Sequence, residues 1–411
     1  MKFLLLNQVF YPDVVATAQY LSELAVALVE RGHEVTVVCA RRAYDHPEKN
    51  YPARETWRGV KIIRVSSTRF GKRAKWHRAV DFASFIVASC TRLLFLPRQD
   101  VVVALTTPPL ISFIGAWRAK LWSAKFCYWV MDMNPDEAIA AGWLRADSAT
   151  AKLLERMSRF SFRQASWIIA LDRFMRDRIV AKGIAPEKIA GLPPWSQDQD
   201  VRFDAAGREQ FRRQHGLADK FVVMYSGNHS PVHPLDTLMQ AAERLKDDAS
   251  IVFCFVGGGS EFKRVQRWAE ERGKAESGKR KAEVLCLPYQ PLAQLSASLS
   301  AADAHVVVMG DAMRGLVHPC KIYNMLAVGA PVIYIGPQPS HVTEILERPG
   351  VTHPWCSVRH GEDDILAERI QQLRRHSGER ACPTTITAEF AKAVLLPRMI
   401  AGLEQAAAKI K

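Results

Sequence analysis

Short apolar runs alternate with helical patterns along the whole chain, and this alternation limits the fold more than any other feature. The first apolar run is KFLLLNQVF, and a helical pattern follows from Ala16 to Arg31, where Gly32 ends it. The next runs are EVTVVCA, KIIRVSS and DVVVALTTPP, and a further helical pattern covers 149–164. Parallel strands joined by covering helices produce this order. The sequence therefore predicts an α/β fold with parallel sheets.

The same alternation starts again after a segment rich in proline and polar residues near 192–203. Strand-like runs in this second half are FVVMYSG, SIVFCFVGGG, EVLCLPY, AHVVVMG and PVIYIG. A chain of 411 residues is long enough to form two cores. We predict two Rossmann-like parallel-sheet domains at 1–195 and 196–387. A last helix at 388–411 is expected to pack back toward the first domain.

Positive charge is concentrated in one region of a chain whose net charge is +14. Between Arg54 and Lys125 there are 14 lysines and arginines but three acids. Within this region a basic stretch, 69–81, precedes an apolar run, 82–97, that is shorter than the ~20 residues of a membrane-spanning helix. Such a pair is typical of a helix lying in a bilayer surface. We predict that 69–97 contacts an anionic membrane; a solvated basic face and a helix packed on its own sheet remain alternatives.

Two other classes of protein have little support. The basic region lacks a recognisable helix-turn-helix, RRM or zinc pattern, so nucleic-acid binding is not predicted. Eight cysteines are spread singly without a CxxC pair, which argues against a zinc site and suits a reducing cytoplasm. The apolar part of MKFLLLNQVFYPD is too short for a signal peptide. We therefore expect a cytoplasmic protein.

Glycine and two histidines follow the strand-like run that begins the second half. Gly227 allows the backbone to bend close to a ligand, and the helical pattern from Pro234 starts with unpaired N–H groups. His229 and His233 can donate hydrogen bonds to phosphate oxygens. Ligands of open α/β sheets bind at the carboxyl ends of strands. The stretch predicts a cradle for a diphosphate, with turn capping by both histidines as the alternative.

Two more stretches fit the same ligand. Gly257 and Gly258 follow a strand-like run and permit a close backbone approach to a nucleotide. Lys321 lies in the first turn of a predicted short helix, with Asn324 about one turn on. A lysine there can neutralise a diphosphate and Asn324 can bind a ribose hydroxyl. The alternative for Lys321 is an ordinary surface lysine.

Motifs from both halves, taken in order, resemble those of family 4 glycosyltransferases. The opening of that family is similar to FYPDVVATAQYLSELAVALVERGHEVTVV, and its second-domain motifs are similar to YSGN…LDTL, FVGGGSE, AADAHVV and HPCKIYNMLAVGAPVI. A segment of the membrane-associated subgroup, which makes polyprenyl-linked glycans, is similar to VMDMNPDEA. The resemblance covers nearly the whole chain. It implies the GT-B fold, two Rossmann-like domains facing across a cleft.

The resemblance also implies an activity. It predicts retaining transfer of a sugar from a nucleotide-sugar to a lipid-linked or glycan acceptor, without a metal or other cofactor, at the inner face of the plasma membrane. Asp132 would orient or deprotonate the acceptor, with Glu137 as second choice and loop capping as the alternative role for Asp132. Lys321 would be catalytic because it stabilises the leaving diphosphate. The predicted donor site comprises Gly227, Asn228, His229, His233, Gly257, Gly258, His318, Lys321, Tyr323 and Asn324.

Two stretches depart from the family pattern. The paired glutamates of the family, eight residues apart, would fall on Leu316 and Asn324, and 14–16 stand where a glycine pair is common. His318 and Lys321 would then take over part of the glutamates' role, as in relatives with a P-S-K version. Two other functions fit the same fold: a nucleotide-sugar 2-epimerase, and a membrane-associated scaffold without activity.

Overall fold

The protein is seen in a computed structural model, which describes residues 1–43, 48–68, 70, 75–196, 201–274, 283–349, 351, 354–375, 380 and 384–408. Parts of three predicted segments lie outside these residues: 69 and 71–74 of the membrane stretch, 197–200 of the linker and 409–411 of the last helix. Contacts divide the chain into two compact units. The first comprises Met1–Pro194, Gly315–His318 and the last helix from Leu395; the second comprises Trp195–Arg314 and Pro319–Val394.

The first unit is built on one sheet. Its strands, within the described residues, are β1 (Lys2–Leu6), β2 (Glu34–Ala40), β3 (Arg54–Trp57), β4 (Val60–Val65), β5 (Val101–Ala104), β6 (Lys125–Trp129), β7 (Trp167–Ala170) and β8 (Ile189–Gly191). Its helices before the second unit are α1 (Ala16–Glu30), α2 (Lys75–Leu94), α3 (Ile111–Trp122), α4 (Asp136–Ala140), α5 (Ala149–Gln164) and α6 (Arg173–Ala181). The strand order is β3-β4-β2-β1-β5-β6-β7-β8, parallel except for β3 against β4.

Burial on both faces explains why the central strands are continuous apolar runs. Phe3–Leu6 of β1 and all of β5 are inaccessible to solvent, since helices cover the sheet on each side. In α1 the buried residues include Leu21, Leu24 and Leu28, the positions whose spacing predicts this helix. The carboxyl ends of β5 and β6 therefore meet at one edge of a parallel sheet.

The second unit has a parallel sheet of its own. Its described strands are β9 (Phe221–Asn228), β10 (Ile251–Gly258), β11 (Glu283–Leu287), β12 (Ala304–Val308), β13 (Val332–Ile335) and β14 (Trp355–Val358). The described helices are α7 (Ala205–Gln214), α8 (Asp236–Arg244), α9 (Phe262–Lys274), α10 (Leu292–Ser300), α11 (Lys321–Val328), α12 (His341–Leu346), α13 (Asp363–Arg375), α14 (Thr384–Glu389) and the start of α15 (Lys392–Ala408). The order β11-β10-β9-β12-β13-β14 is that of Rossmann sheets, in which the strand order reverses between β9 and β12.

Alternate side chains of β9 enter two different cores. Val223 and Tyr225 pack in the larger core, whereas Val222 and Met224 pack in the core on the other side. This two-sided burial fixes β9 in the centre of the sheet. The prediction of an α/β fold with two Rossmann-like parallel-sheet domains is confirmed.

The last helix belongs to the first unit by its contacts. Nε2 of His33, the residue before β2, lies 2.9 Å from a carboxylate oxygen of Glu404 in α15. A Cβ atom built on Gly402 would lie 2.3 Å from the ring of Trp167, so this position of α15 accepts only glycine without a shift of the ring. The helix therefore packs closely on the sheet of the first unit.

Candidate active site

The ends of β9 and β10 approach each other so closely that only glycine fits. Gly257 pairs with Gly227 in the parallel register, and their φ angles are +137° and +144°. A Cβ atom on Gly257 would lie 2.0 Å from the carbonyl oxygen of Gly227. Gly258 is the next residue, and Asn228 beside it is exposed. These glycines bring together the backbones at the carboxyl ends of β9 and β10, and β9 borders the point where the strand order reverses, the usual ligand position of such sheets.

Lys321 is the first residue of α11, and its ammonium group is the central feature of this strand end. Nζ is buried and has no hydrogen-bond partner within the described part of the chain. It lies 3.8 Å from the centroid of the Tyr225 ring, and a Cβ atom on Gly227 would come within 2.8 Å of it. Burial lowers the pKa of Lys321 to about 7. Among the described residues, this buried ammonium contacts an aromatic face but lacks the negative partner that would stabilise it.

His229 is fully buried next to this lysine. Its Nδ1 lies 3.0 Å from the carbonyl oxygen of Gly227, and its ring packs edge-on against Tyr225 and Phe262. Burial first, and then the charge of Lys321, lower the pKa of His229 to about 4. Because a carbonyl oxygen only accepts, Nδ1 carries the proton and donates it. Nε2 then bears a lone pair, and it has no partner among the described residues.

His233 repeats this arrangement. Its Nδ1 donates to the carbonyl oxygen of Val308, the last residue of β12, at 2.8 Å. Burial, followed by the charge of Lys321, lowers the pKa of His233 to about 3. Both histidines are therefore neutral at pH 7 and offer Nε2 as a hydrogen-bond acceptor. This differs from the expected donation to phosphate oxygens, because backbone carbonyls already take the one proton of each ring.

The other predicted donor-site residues have varied surroundings. Tyr323 is buried, and its ring lies 4.6 Å from that of Phe390, which is a packing contact. Asn324 is half-buried on α11. His318 belongs to the first unit, where its buried Nδ1 lies 2.7 Å from a carboxylate oxygen of Asp172. The donor-site roles of these three residues stay predictions.

In the first unit, two carboxyl groups lie just beyond β6. Asp132 follows the strand, and the backbone N–H of Glu137 donates to the carbonyl of Met133 at 2.8 Å. Burial raises the pKa of Asp132, and burial followed by the charge of Asp132 raises the pKa of Glu137. The neighbouring Asp136 is different, because it forms an ion pair with Lys182 at 2.8 Å. Asp132 and Glu137 therefore influence each other and favour holding a proton.

Sequence reasoning missed Tyr225 as a site residue. It lies within the apolar run of a strand, and that pattern predicts only a core position. Its ring does pack in the core. Its hydroxyl donates to the carbonyl of Asn228 at 2.7 Å, which places the ring face toward Lys321. A tyrosine two residues before a strand-end glycine is the one signal that could have indicated this role.

Two Rossmann-type parallel-sheet units in one chain are the architecture of the GT-B class of glycosyltransferases. Residues 16–195 match the family described as glycosyl transferase 4-like domain, and residues 207–374 match glycosyl transferases group 1. The two matches together span most of the chain. The chain belongs to the family 4 glycosyltransferases and is a transferase enzyme.

Two relatives and two solved structures show the range of the family likeness. The chain is 26% identical over 366 residues to WcaI of Escherichia coli (strain K12), a protein named for glycosyl transfer in colanic acid biosynthesis, with 85% of this chain and 87% of WcaI covered. It is 23% identical over 254 residues to WbjE of Pseudomonas aeruginosa, named for glycosyl transfer, with 62% of each covered.

Among solved structures, Anabaena Alr3699/HepE in complex with UDP and glucose has a TM-score of 0.71 at 16% identity, covering 98% of this chain and 100% of that one. WaaG, a glycosyltransferase involved in lipopolysaccharide biosynthesis, has a TM-score of 0.65 at 15% identity. The match covers 100% of this chain and 99% of the WaaG chain. These likenesses confirm the predicted GT-B fold.

Proposed function

We propose that the enzyme moves a sugar, with retention, from a nucleotide-sugar to a lipid-linked or glycan acceptor during polysaccharide biosynthesis. The observation that carries this proposal is the buried ammonium of Lys321, which lacks a hydrogen-bond partner among the described residues. The complexes of HepE with UDP and with UDP-glucose support a nucleotide-sugar donor. The names of WcaI and WaaG support an acceptor that is part of a growing glycan.

The donor diphosphate supplies the negative partner that the ammonium group of Lys321 lacks. When the bond to the sugar breaks, negative charge grows on the leaving diphosphate, and a positioned cation stabilises it. The N–H groups at the start of α11 and the close backbone at Gly227 and Gly257 add donors for the same oxygens. Nε2 of His229 and His233 accepts from hydroxyl groups of the ribose or the sugar. We propose that Lys321 performs the task that a metal performs in other transferases, as the family resemblance implies.

The acceptor is assigned to the first unit. Its hydroxyl group would donate a hydrogen bond to Asp132, which orients it for attack, with Glu137 as the second candidate for this role. The raised pKa of each carboxyl group fits a residue that takes up a proton near neutral pH.

A screen of nucleotide-sugars tests the proposal directly. UDP-, GDP-, ADP- and TDP-sugars are compared by thermal shift, and turnover is then followed with the sugar that stabilises the protein most. We expect one nucleotide to raise the melting temperature and its sugar to be transferred to an added glycan acceptor. Release of a free isomerised sugar without an acceptor would instead indicate the 2-epimerase, and the lack of any nucleotide binding would indicate the inactive scaffold.

Donor binding is expected to take up a proton above pH 7. Free Lys321 is about half-protonated at pH 7, and a bound diphosphate raises its pKa because it stabilises the ammonium form. The affinity should therefore fall by up to ~10-fold per pH unit above 7, until the pKa of the complex is reached. His229 and His233, with pKa values of about 4 and about 3, do not titrate in this range.

Isothermal titration with UDP-glucose at pH 8, or with the nucleotide-sugar that the screen selects, measures this uptake. Buffers with different ionisation enthalpies give the number of protons bound, which we expect to be close to one. Lys321→Met should abolish the uptake. An affinity that is constant from pH 7 to pH 9 would contradict the assigned role of Lys321.

We propose further that α2 contacts the cytoplasmic face of the membrane. Its inner face packs on the sheet through buried Phe85 and Leu93, as the alternative of a packed helix requires. Its outer face exposes Val87 to 64%, and Phe95 just beyond the helix is 76% exposed. The neighbouring Arg98 is exposed as well. Among the helices that the structure describes, none combines the length and apolar character needed to cross a membrane. Exposed apolar groups beside basic ones favour attachment to a bilayer surface.

Val87→Glu is expected to weaken binding to vesicles that contain anionic phosphatidylglycerol by at least ~5-fold, because a carboxylate replaces an inserting side chain. Sedimentation with vesicles measures the bound fraction. Leu153→Glu on α5, which is 57% exposed, is the matched control and should not change it. Equal binding of both variants and the unchanged chain would exclude α2 from the contact.

A further inference from the structure

We propose that a small cavity in the first unit binds the acetamido group of an acceptor sugar. The cavity has a volume of ≈ 70 Å³, and its walls are largely apolar, with Pro109, Leu110, Phe113 and Pro135 among the lining residues. This inference rests on the proposed transfer to a glycan acceptor and names one chemical group of that acceptor.

The cavity lies where an acceptor is expected. Thr106 follows β5, and Asn134 follows the neighbouring strand β6, so both line the cavity from the carboxyl ends of adjacent parallel strands. Ligands of α/β sheets bind outside these ends. Asn134 and Ala138, which line the cavity, are on the segment that carries Asp132 and Glu137. A sugar whose hydroxyl group contacts Asp132 would therefore have its neighbouring substituents beside the cavity.

Two residues that line the cavity carry a hydroxyl group that makes no hydrogen bond within the described part of the chain. Oγ1 of Thr106 and Oγ of Ser158 are buried and have no hydrogen-bond partner among the described residues. The side chains are 3% and 7% exposed, and both residues line the cavity. Buried hydroxyl groups are normally paired, because leaving one unpaired is unfavourable. A ligand in the cavity must therefore bring a polar atom as well as an apolar surface.

Size and polarity together select the acetamido group. An apolar cavity of about 150 Å³ holds benzene, with six carbon atoms, so the present volume has room for about three heavy atoms. An acetyl group has three: its methyl carbon contacts the apolar wall, and its carbonyl oxygen accepts from Thr106 and Ser158. The methyl group of a deoxy sugar would leave both hydroxyls unpaired. An isoprenoid chain has no polar atom and would also leave both hydroxyls unpaired.

Weak binding of two methyl glycosides tests the assignment. The full chain is titrated with methyl N-acetyl-β-glucosaminide and with methyl β-glucoside, and binding is followed by saturation-transfer NMR. We expect the acetamido compound to bind about 10-fold more tightly than methyl β-glucoside, because one well-buried hydrogen-bonded group can contribute this much affinity. Its acetyl methyl protons should receive the largest saturation. Equal affinity of the two glycosides, or saturation confined to ring protons, would overturn the proposal.

Variants of Ser158 test whether the preference for the acetamido compound arises in this cavity. Ser158→Ala removes one hydroxyl group without adding bulk. It should weaken the binding of the acetamido compound about 5- to 10-fold. Ser158→Leu fills the cavity and should abolish the preference between the two glycosides. Lys152→Leu places the same side chain on the exposed face of α5 and should change neither affinity. Ser158→Ala with unchanged affinity would reject the assignment even if Ser158→Leu fails to fold.

Turnover separates this inference from the proposed function. If the acetamido glycoside binds at Ser158 but no sugar is transferred with any donor, the cavity assignment stands and the transferase proposal fails. If sugar is transferred to both glycosides with equal kcat/KM, the transferase proposal stands and the cavity assignment fails.

Discussion

Lys321→Met should lower kcat/KM by about 10²- to 10³-fold while the protein becomes more stable. The loss follows if the ammonium stabilises the leaving diphosphate as proposed, since single groups of this kind contribute that much. The gain follows because methionine has a similar length and no charge to bury, and an unpartnered buried polar group costs about 1–3 kcal/mol. Steady-state kinetics and thermal unfolding of the same samples measure both effects.

The pH dependence of the stability gain identifies its cause. Burial lowers the pKa of Lys321 from 10.5 to about 7, so the unfolded chain binds the proton more tightly than the folded one. The lysine therefore destabilises the fold most at pH 7 and below, and its cost disappears as the pH rises toward 10.5. The difference in melting temperature between Lys321→Met and the unchanged chain should narrow over this interval. Lys263→Met, an exposed position on α9, should alter neither turnover nor stability.

Gly257→Ala should disrupt the proposed donor site and destabilise the second unit by more than ~3 kcal/mol. The new Cβ atom would lie 2.0 Å from the carbonyl oxygen of Gly227, which belongs to the backbone of the paired strand and cannot rotate away. A φ angle of +137° adds strain of about 1–3 kcal/mol for any residue with a Cβ atom. Unfolding in urea and nucleotide binding by calorimetry measure the two losses.

Gly216→Ala separates the two causes. Gly216 also has a positive φ angle, +68°, but a Cβ atom there would meet nothing within 4 Å. We expect this control to cost about 1 kcal/mol from backbone strain alone and to leave nucleotide binding unchanged. A similar loss of stability in both variants would show that the close approach of Gly257 to Gly227 does not contribute to the destabilisation.

Periodic segments could be predicted well from the sequence. Helical spacing places a helix at 149–164, and α5 spans Ala149–Gln164; its buried residues, among them Ala151, Ser158 and Phe162, lie on one face of the helix. The short edge strand β3 was not predicted. Its four residues alternate between exposed and half-buried, and the turn at Arg58 and Gly59 joins it to β4. Such a strand is fixed by pairing with its neighbour, which leaves little signal in four residues.

The candidate site was predictable in its composition but not in its protonation. The order of strands and glycines indicates that Gly227, His229 and Lys321 belong to one strand end, and the second unit does bring them together. Which nitrogen of His229 carries the proton depends on the carbonyl of Gly227, and the lowered pKa of Lys321 depends on burial. Both are consequences of three-dimensional packing, so spacing along the chain does not contain them.

The first unit is assembled from three separate segments of the chain, and this affects when it can complete its folding during synthesis. The N–H of Met133, next to Asp132, donates to the carbonyl of Leu316 at 2.9 Å, and α15 closes on Trp167. During synthesis on a ribosome, residues 1–194 leave the exit tunnel long before Leu316 exists. The loop that holds Asp132 therefore gains this backbone partner only after much of the second unit has been translated. Truncation before α15 would leave the N-terminal half without its final helix, although every residue of its sheet is present.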